Sequence, residues 1–157
     1  MRFAVGSDHA GFELKRLVVG WLEAWGHAAD DLGAYSSESC DYPDIALTVA
    51  RRVACGDADL GVLICSNGVG PSIVANKVRG VRAALCDNPF ASRRAREHTD
   101  ANVLCLGAWS IGRGLAEEVV RAFASAVFEG GRHTRRVSRI AAIEEELASE
   151  GAVPATE

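Results

Sequence analysis

No two cysteines of the 157-residue chain stand at CxxC spacing, and none sits beside paired histidines as a zinc site requires. The five thiols, Cys40, Cys55, Cys65, Cys86 and Cys105, form an odd set, and reduced cysteines are the simplest reading. Excess positive charge is also missing. A formal net charge of -4 offers no general attraction to nucleic acid or to an anionic membrane surface. No apolar run reaches the length of a membrane span, and Met1 leads straight into the strand-like RFAVG without a stretch of signal-peptide length. The expectation is a cytoplasmic protein with no nucleic-acid and no membrane partner. A linker, an internal repeat and a low-complexity segment are absent as well. With ordinary globular usage of hydrophobic and charged residues, residues 1–150 are expected to form one domain, followed by a frayed tail at 151–157.

What is present is a regular alternation. The apolar runs FAV at 3–5, LGVLIC at 60–65, VRAALC at 81–86 and NVLCLG at 102–107 read as buried parallel strands, with a weaker strand over 27–32. Between the first two strands, Leu14, Leu17, Val18, Trp21, Leu22 and Trp25 recur at helical spacing, and Gly26 follows where helices commonly stop. Pro43 suits the first turn of a second helix to about residue 55 and Pro89 that of a fourth. Leu115, Val119, Phe123 and Val127 mark a fifth, and a charged last helix is expected from about 134 to 149. Strand and helix in turn, with right-handed crossovers, predict an α/β fold: a doubly wound, five-stranded parallel sheet in a three-layer αβα sandwich.

The stretch LGVLICSNGVGPSIVANK, 60–77, ends a buried strand at Cys65 and opens a helix near Pro71 through a turn containing Gly68 and Gly70. Open parallel sheets bind ligands at the carboxyl ends of their strands, so Cys65 stands where chemistry is expected. Glycines let main-chain N–H groups approach an anion, and such a field also favours a thiolate. From this segment alone, a buried strand cysteine followed by a merely tight turn is an equally good reading. Three familiar phosphate motifs fail. A Walker A loop lacks its Gly-Lys-Ser/Thr ending, a dinucleotide fingerprint finds Ile73 in its third glycine place, and a cysteine-phosphatase loop finds Pro71 where it needs arginine. Neither a nucleoside triphosphate nor NAD is therefore expected.

SDHAGFELK, 7–15, places Asp8 and His9 at the same carboxyl edge as Cys65. Asp8 serving only as a helix cap, with His9 on the surface, is the competing reading. REHTDANVL, 96–104, puts His98 just before the fifth strand and so at the opposite, amino edge. If it is catalytic, a neighbouring subunit must deliver it. EGGRHTRRVSRI, 129–140, carries Arg132 and Arg136 one helical turn apart, a spacing that can grip one phosphate or simply face solvent.

SDHAGF, DYPD at 41–44, GVLICSNGVG, ANK at 75–77, REHTDANVL and EGGRH, taken in order, closely resemble the type B ribose-5-phosphate isomerase and galactose-6-phosphate isomerase family, over nearly the whole chain to about Glu146. The resemblance implies an aldose–ketose isomerase in which Cys65 transfers the proton between C1 and C2 while His98 assists opening of the sugar ring. It further implies that backbone groups of Ser66, Asn67, Gly68, Val69 and Gly70 hold the enediolate oxygen and that Asp8 and Tyr42 contact the sugar. His9, Arg132 and Arg136 would bind the phosphate, with Thr99 beside His98. By the same resemblance the partner is a small phosphorylated sugar. No metal or organic cofactor is needed, and the site lies at a homodimer interface, with dimer or tetramer left open as the final assembly.

Three positions depart from the family pattern. Asn67 stands where threonine or serine is common, Thr99 where asparagine often follows the histidine, and Trp109 where an arginine is common. Trp109 would remove a phosphate contact and fill space in the pocket, with Arg113 as a substitute cation. The alternatives are an isomerase of another pentose or hexose phosphate, of the allose or galactose 6-phosphate type, and a non-catalytic phosphosugar-binding subunit. A thiol redox protein pairing Cys65 with Cys86 on neighbouring strand ends is a third.

Overall fold

Side chains on successive strand positions sort onto two faces in the computed structural model, which describes residues 1–150; the expected frayed tail at 151–157 lies outside the described residues. Five strands and six helices follow one another along the described residues. They are β1 (Arg2–Ser7), α1 (Phe12–Ala24), β2 (Ala28–Asp31), α2 (Tyr42–Ala54), β3 (Leu60–Cys65) and α3 (Val69–Ala75), then β4 (Ala83–Leu85), α4 (Pro89–Thr99), β5 (Val103–Gly107), α5 (Arg113–Ser125) and α6 (Arg132–Glu150). Every strand pair is parallel, in the order β2-β1-β3-β5-β4. This is the expected α/β sandwich.

Phe3, Val5, Val62, Ile64, Leu104 and Leu106 point to one face, where they pack with Leu14, Val18 and Leu22 of α1 and Val119, Val120 and Phe123 of α5. Ala4, Leu63, Val103 and Cys105, one residue out of phase, point to the other and meet Ala46, Val49, Ala50 and Val53 of α2. The period of two divides the buried strands between two helical layers. Removing one large buried side chain, Phe123→Ala for instance, costs about 3–5 kcal/mol at such positions.

Three boundaries differ from the sequence reading. β4 keeps only Ala83–Leu85 of the expected 81–86, because it is an edge strand with one neighbour. α5 stops at Ser125, where Ala126 turns extended, so Val127 is exposed instead of continuing the helical stripe. α6 starts at Arg132, directly after Gly130 and Gly131, both with positive φ. Its only buried residue is His133. No helix among the described residues is long and apolar enough to cross a membrane.

Candidate active site

Strand order reverses between β1 and β3, and a crevice at such a point receives groups from both strand ends. β3 delivers Cys65, 4% exposed, on the α2 side of the sheet in phase with Leu63. The chain then turns through Gly68 at φ +78°, a conformation that costs glycine little. This brings the Gly68 N–H within 3.1 Å of the Cys65 sulfur. Asn67 Oδ1 lies 3.7 Å from the same sulfur and accepts the Val69 N–H at 3.0 Å. One main-chain amide, that of Gly68, thus donates to the sulfur, and the Asn67 side-chain oxygen faces it. Gly70 has no room for a side chain, since a Cβ there would come within 2.5 Å of the Tyr42 ring. Tyr42, the first residue of α2, consequently lies against the Cys65 turn.

The loop after β1 completes this edge. Asp8 is buried, its amide donates to the Ile64 carbonyl at 3.2 Å, and its Oδ1 accepts the Gly11 N–H at 3.0 Å. Asp8 thus bonds the turn into α1 while staying tied to the carboxyl end of β3. His9 is half-buried, with Nδ1 3.1 Å from the Cys40 carbonyl and 3.2 Å from the Cys40 amide. From the β5 side, the amides of Ala108 and Trp109 donate to the carbonyls of Cys65 and Ser66. An adjoining cavity of about 240 Å³ is lined by Asn67, Leu85, Cys86, Asp87, Gly107 and Ser110.

His98 and Thr99 end α4 at the other edge of the sheet, as do Arg132 and Arg136 at the start of α6. Pairing of Gly61 with Val103 and of Cys65 with Gly107 separates the two edges by roughly 13 Å along the strands. Within one chain, His98 does not reach Cys65. Its imidazole stacks instead on that of His133, with 4.1 Å between centroids, and Arg94 Nη1 lies 3.0 Å from its Nε2. Glu129 approaches both rings, at 3.7 Å from His98 and 3.6 Å from His133. Burial first, then the neighbouring His98 and Arg132, hold the His133 imidazole below its ordinary pKa. His98, Glu129 and His133 form a metal-type donor set, but the set fits a cation poorly. The rings are 10° from parallel, so their lone pairs run side by side, and guanidinium nitrogens already face both Nε2 atoms.

The profile of the ribose/galactose isomerase family matches residues 3–140. Ribose-5-phosphate isomerase B of Escherichia coli is 46% identical over 144 residues, covering 92% of this chain and 97% of the relative. This chain belongs to the ribose/galactose isomerase family. Among solved structures of the family, ribose-5-phosphate isomerase B of Clostridium thermocellum superposes with a TM-score of 0.92 at 46% identity, covering 94% of this chain and 99% of the other. That of Mycoplasma genitalium, solved with bound ribulose 5-phosphate, gives a TM-score of 0.88 at 41% identity over 92% and 97% of the two chains.

As a family member the chain has its own features. Trp109 is 77% exposed and, rather than filling the crevice, lines a cleft of about 360 Å³ beside α1 with Glu13, Leu17 and Arg113. Arg113 lines the same cleft as Trp109. A Cys65–Cys86 disulfide is ruled out by topology: β5 stands between β3 and β4, two inter-strand spacings of about 4.8 Å exceed the span of a disulfide. Burial and Asp87 also push the Cys86 thiol up to about 11. Lys15, unremarked in the sequence reading, is wholly buried and bonds Asp31 and the Ala34 carbonyl, both at 2.5 Å. Its signal was its place on the apolar stripe with Val18 and Leu22. Arg94 and Glu129 carried no comparable pattern.

Proposed function

We propose that the chain is an aldose–ketose isomerase that interconverts ribose 5-phosphate and ribulose 5-phosphate, with Cys65 moving a proton between C1 and C2. Family membership supports the reaction class, and the Escherichia coli and Mycoplasma genitalium relatives support the pentose phosphate pair. The observation that carries the assignment of Cys65 is its sulfur at the carboxyl end of β3, beside the point where strand order reverses, accepting the Gly68 N–H. A donated N–H favours negative charge on sulfur, and a thiolate is the form that abstracts a proton.

The reaction needs one base that reaches two adjacent carbons and a pocket for the charge that develops between them. Cys65 takes the C2 proton, the electron pair moves into the C1–C2 bond, and O1 becomes the enediolate oxygen. Proton transfer from O2 to O1 and return of the thiol proton to C1 complete the ketose. Amides of Ser66 to Gly70 face the enediolate, with Tyr42 and Asp8 against the sugar. The Val69 N–H, held by Asn67 Oδ1 in this structure, is released to the oxyanion if the Asn67 side chain turns.

His98 belongs to this chemistry only if a second copy supplies it, because its own chain places it at the far edge. In a two-fold dimer each site would combine Cys65, Asp8, His9 and Tyr42 of one protomer with His98, Thr99, Arg132 and Arg136 of its partner. There His98 relays a proton from the anomeric hydroxyl to the ring oxygen, and the arginines hold the phosphate with His9. Incubation of ribulose 5-phosphate in D2O tests the base directly: the wild type incorporates deuterium at C1 and Cys65→Ala incorporates none. Undiminished exchange in that variant removes Cys65 from the role.

A further inference from the structure

One face of α4 carries Phe90, Arg94 and His98 at one-turn intervals. Arg94 is fixed on several sides: its guanidinium lies 5.5 Å from the Phe90 ring centroid, 3.0 Å from Glu97 Oε2 and 3.6 Å from Glu129 Oε1. Its Nη1 is also 3.0 Å from His98 Nε2. A guanidinium has donors only and keeps its proton, so this contact requires Nε2 to accept. The proton of His98 then resides on Nδ1. Other groups around the ring do not supply this constraint. Glu129, from the segment between α5 and α6, is farther away at 3.7 Å, and His133 of α6 meets the ring through its face while its own Nε2 faces Arg132.

We infer that Arg94 is a positioning residue that fixes His98 in the Nδ1–H tautomer, the form that relays the ring-opening proton. This rests on the reading of His98 as the ring-opening group. The Nδ1 proton passes to ring oxygen O4 as the C1–O4 bond breaks, and the anomeric hydroxyl proton returns to Nδ1, so the imidazole is regenerated and one proton has moved from O1 to O4. The guanidinium on Nε2 draws electron density from the ring and strengthens the Nδ1–H as a donor.

The test combines a tautomer measurement with two reactions. Long-range ¹H–¹⁵N NMR of the full-length protein, with His98 assigned through His98→Asn, should show Nδ1–H in the wild type, a shift toward Nε2–H in Arg94→Met, and recovery in Arg94→Lys. Turnover of ribose 5-phosphate should fall on the order of tenfold or more in kcat for Arg94→Met at nearly constant KM, since a positioned acid–base group contributes at least that much. Exchange at C1 of ribulose 5-phosphate should change by less than about twofold, because its esterified O5 cannot close a furanose ring and no ring opening is needed. An Nε2–H tautomer in the wild type overturns the proposal, as does an Arg94→Met variant unchanged in tautomer and kcat, or one in which both reactions fall equally. Full ribose 5-phosphate turnover in His98→Asn would instead defeat the ring-opening reading, with the wild-type tautomer still deciding what Arg94 does. Should Arg94→Met not fold, the wild-type spectrum and Arg94→Lys decide the matter.

Discussion

The imidazoles of His98 and His133 lie face to face, 10° from parallel with 4.1 Å between their centroids. Two protonated rings at that distance repel, and Arg94, Arg132 and Arg136 add positive charge around them that Glu97 and Glu129 only partly offset. His133, almost wholly buried, bears the consequence.

Stability should therefore fall as pH drops below the ordinary histidine value of 6.5. With the folded-state pKa of His133 depressed, the unfolded chain binds the proton first, and binding more protons when unfolded makes stability rise with pH across that window. Urea unfolding at pH 7.5 and pH 5.5 checks this. The midpoint of the wild type should drop on acidification, and that of His133→Asn should drop less. Equal drops would mean that His133 titrates alike in both states.

Complementation tests the shared site. Cys65→Ala and His98→Ala should each be inactive alone, yet mixing and reassembling them should restore about a quarter of wild-type activity. Half of a random mixture is heterodimer, and each heterodimer has one of its two sites intact. A site contained within one chain would recover nothing.

The buried Lys15 ammonium ties α1 to the end of β2. Asp31→Ala leaves that charge with the Ala34 carbonyl alone and should cost about 2–3 kcal/mol, near the lower limit for breaking a buried pair. Lys15→Met, which removes the charge and retains most of the volume, should cost less. Thermal or urea unfolding of the two variants decides the order, and the reverse order would mean that the pair itself is strongly stabilising.

Thiol labelling separates the cysteines. At pH 8, iodoacetamide should modify exposed Cys55 readily and spare Cys86, whose thiol has been raised to about 11 by burial and Asp87, and Cys105, raised still further by complete burial. Rapid modification of Cys86 in the folded protein would contradict its place between β4 and α4.

The period-two strands, the helical stripes and the glycine turn after Cys65 were legible in the sequence because each is written in a few neighbouring residues whose side-chain directions follow from local backbone geometry. The amino-edge position of His98 was legible too, since it follows from chain direction in a parallel sheet. Other features depended on which distant segments meet. Insertion of β5 between β3 and β4 parted Cys65 from Cys86, and Glu129 met His98 only because the segment between α5 and α6 runs past the end of α4. Lys15 found Asp31 across the α1–β2 connection, and Tyr42 came to rest on Gly70 from another helix altogether. Local periodicity says which way a side chain faces; only the packed arrangement of strands and helices says what it faces.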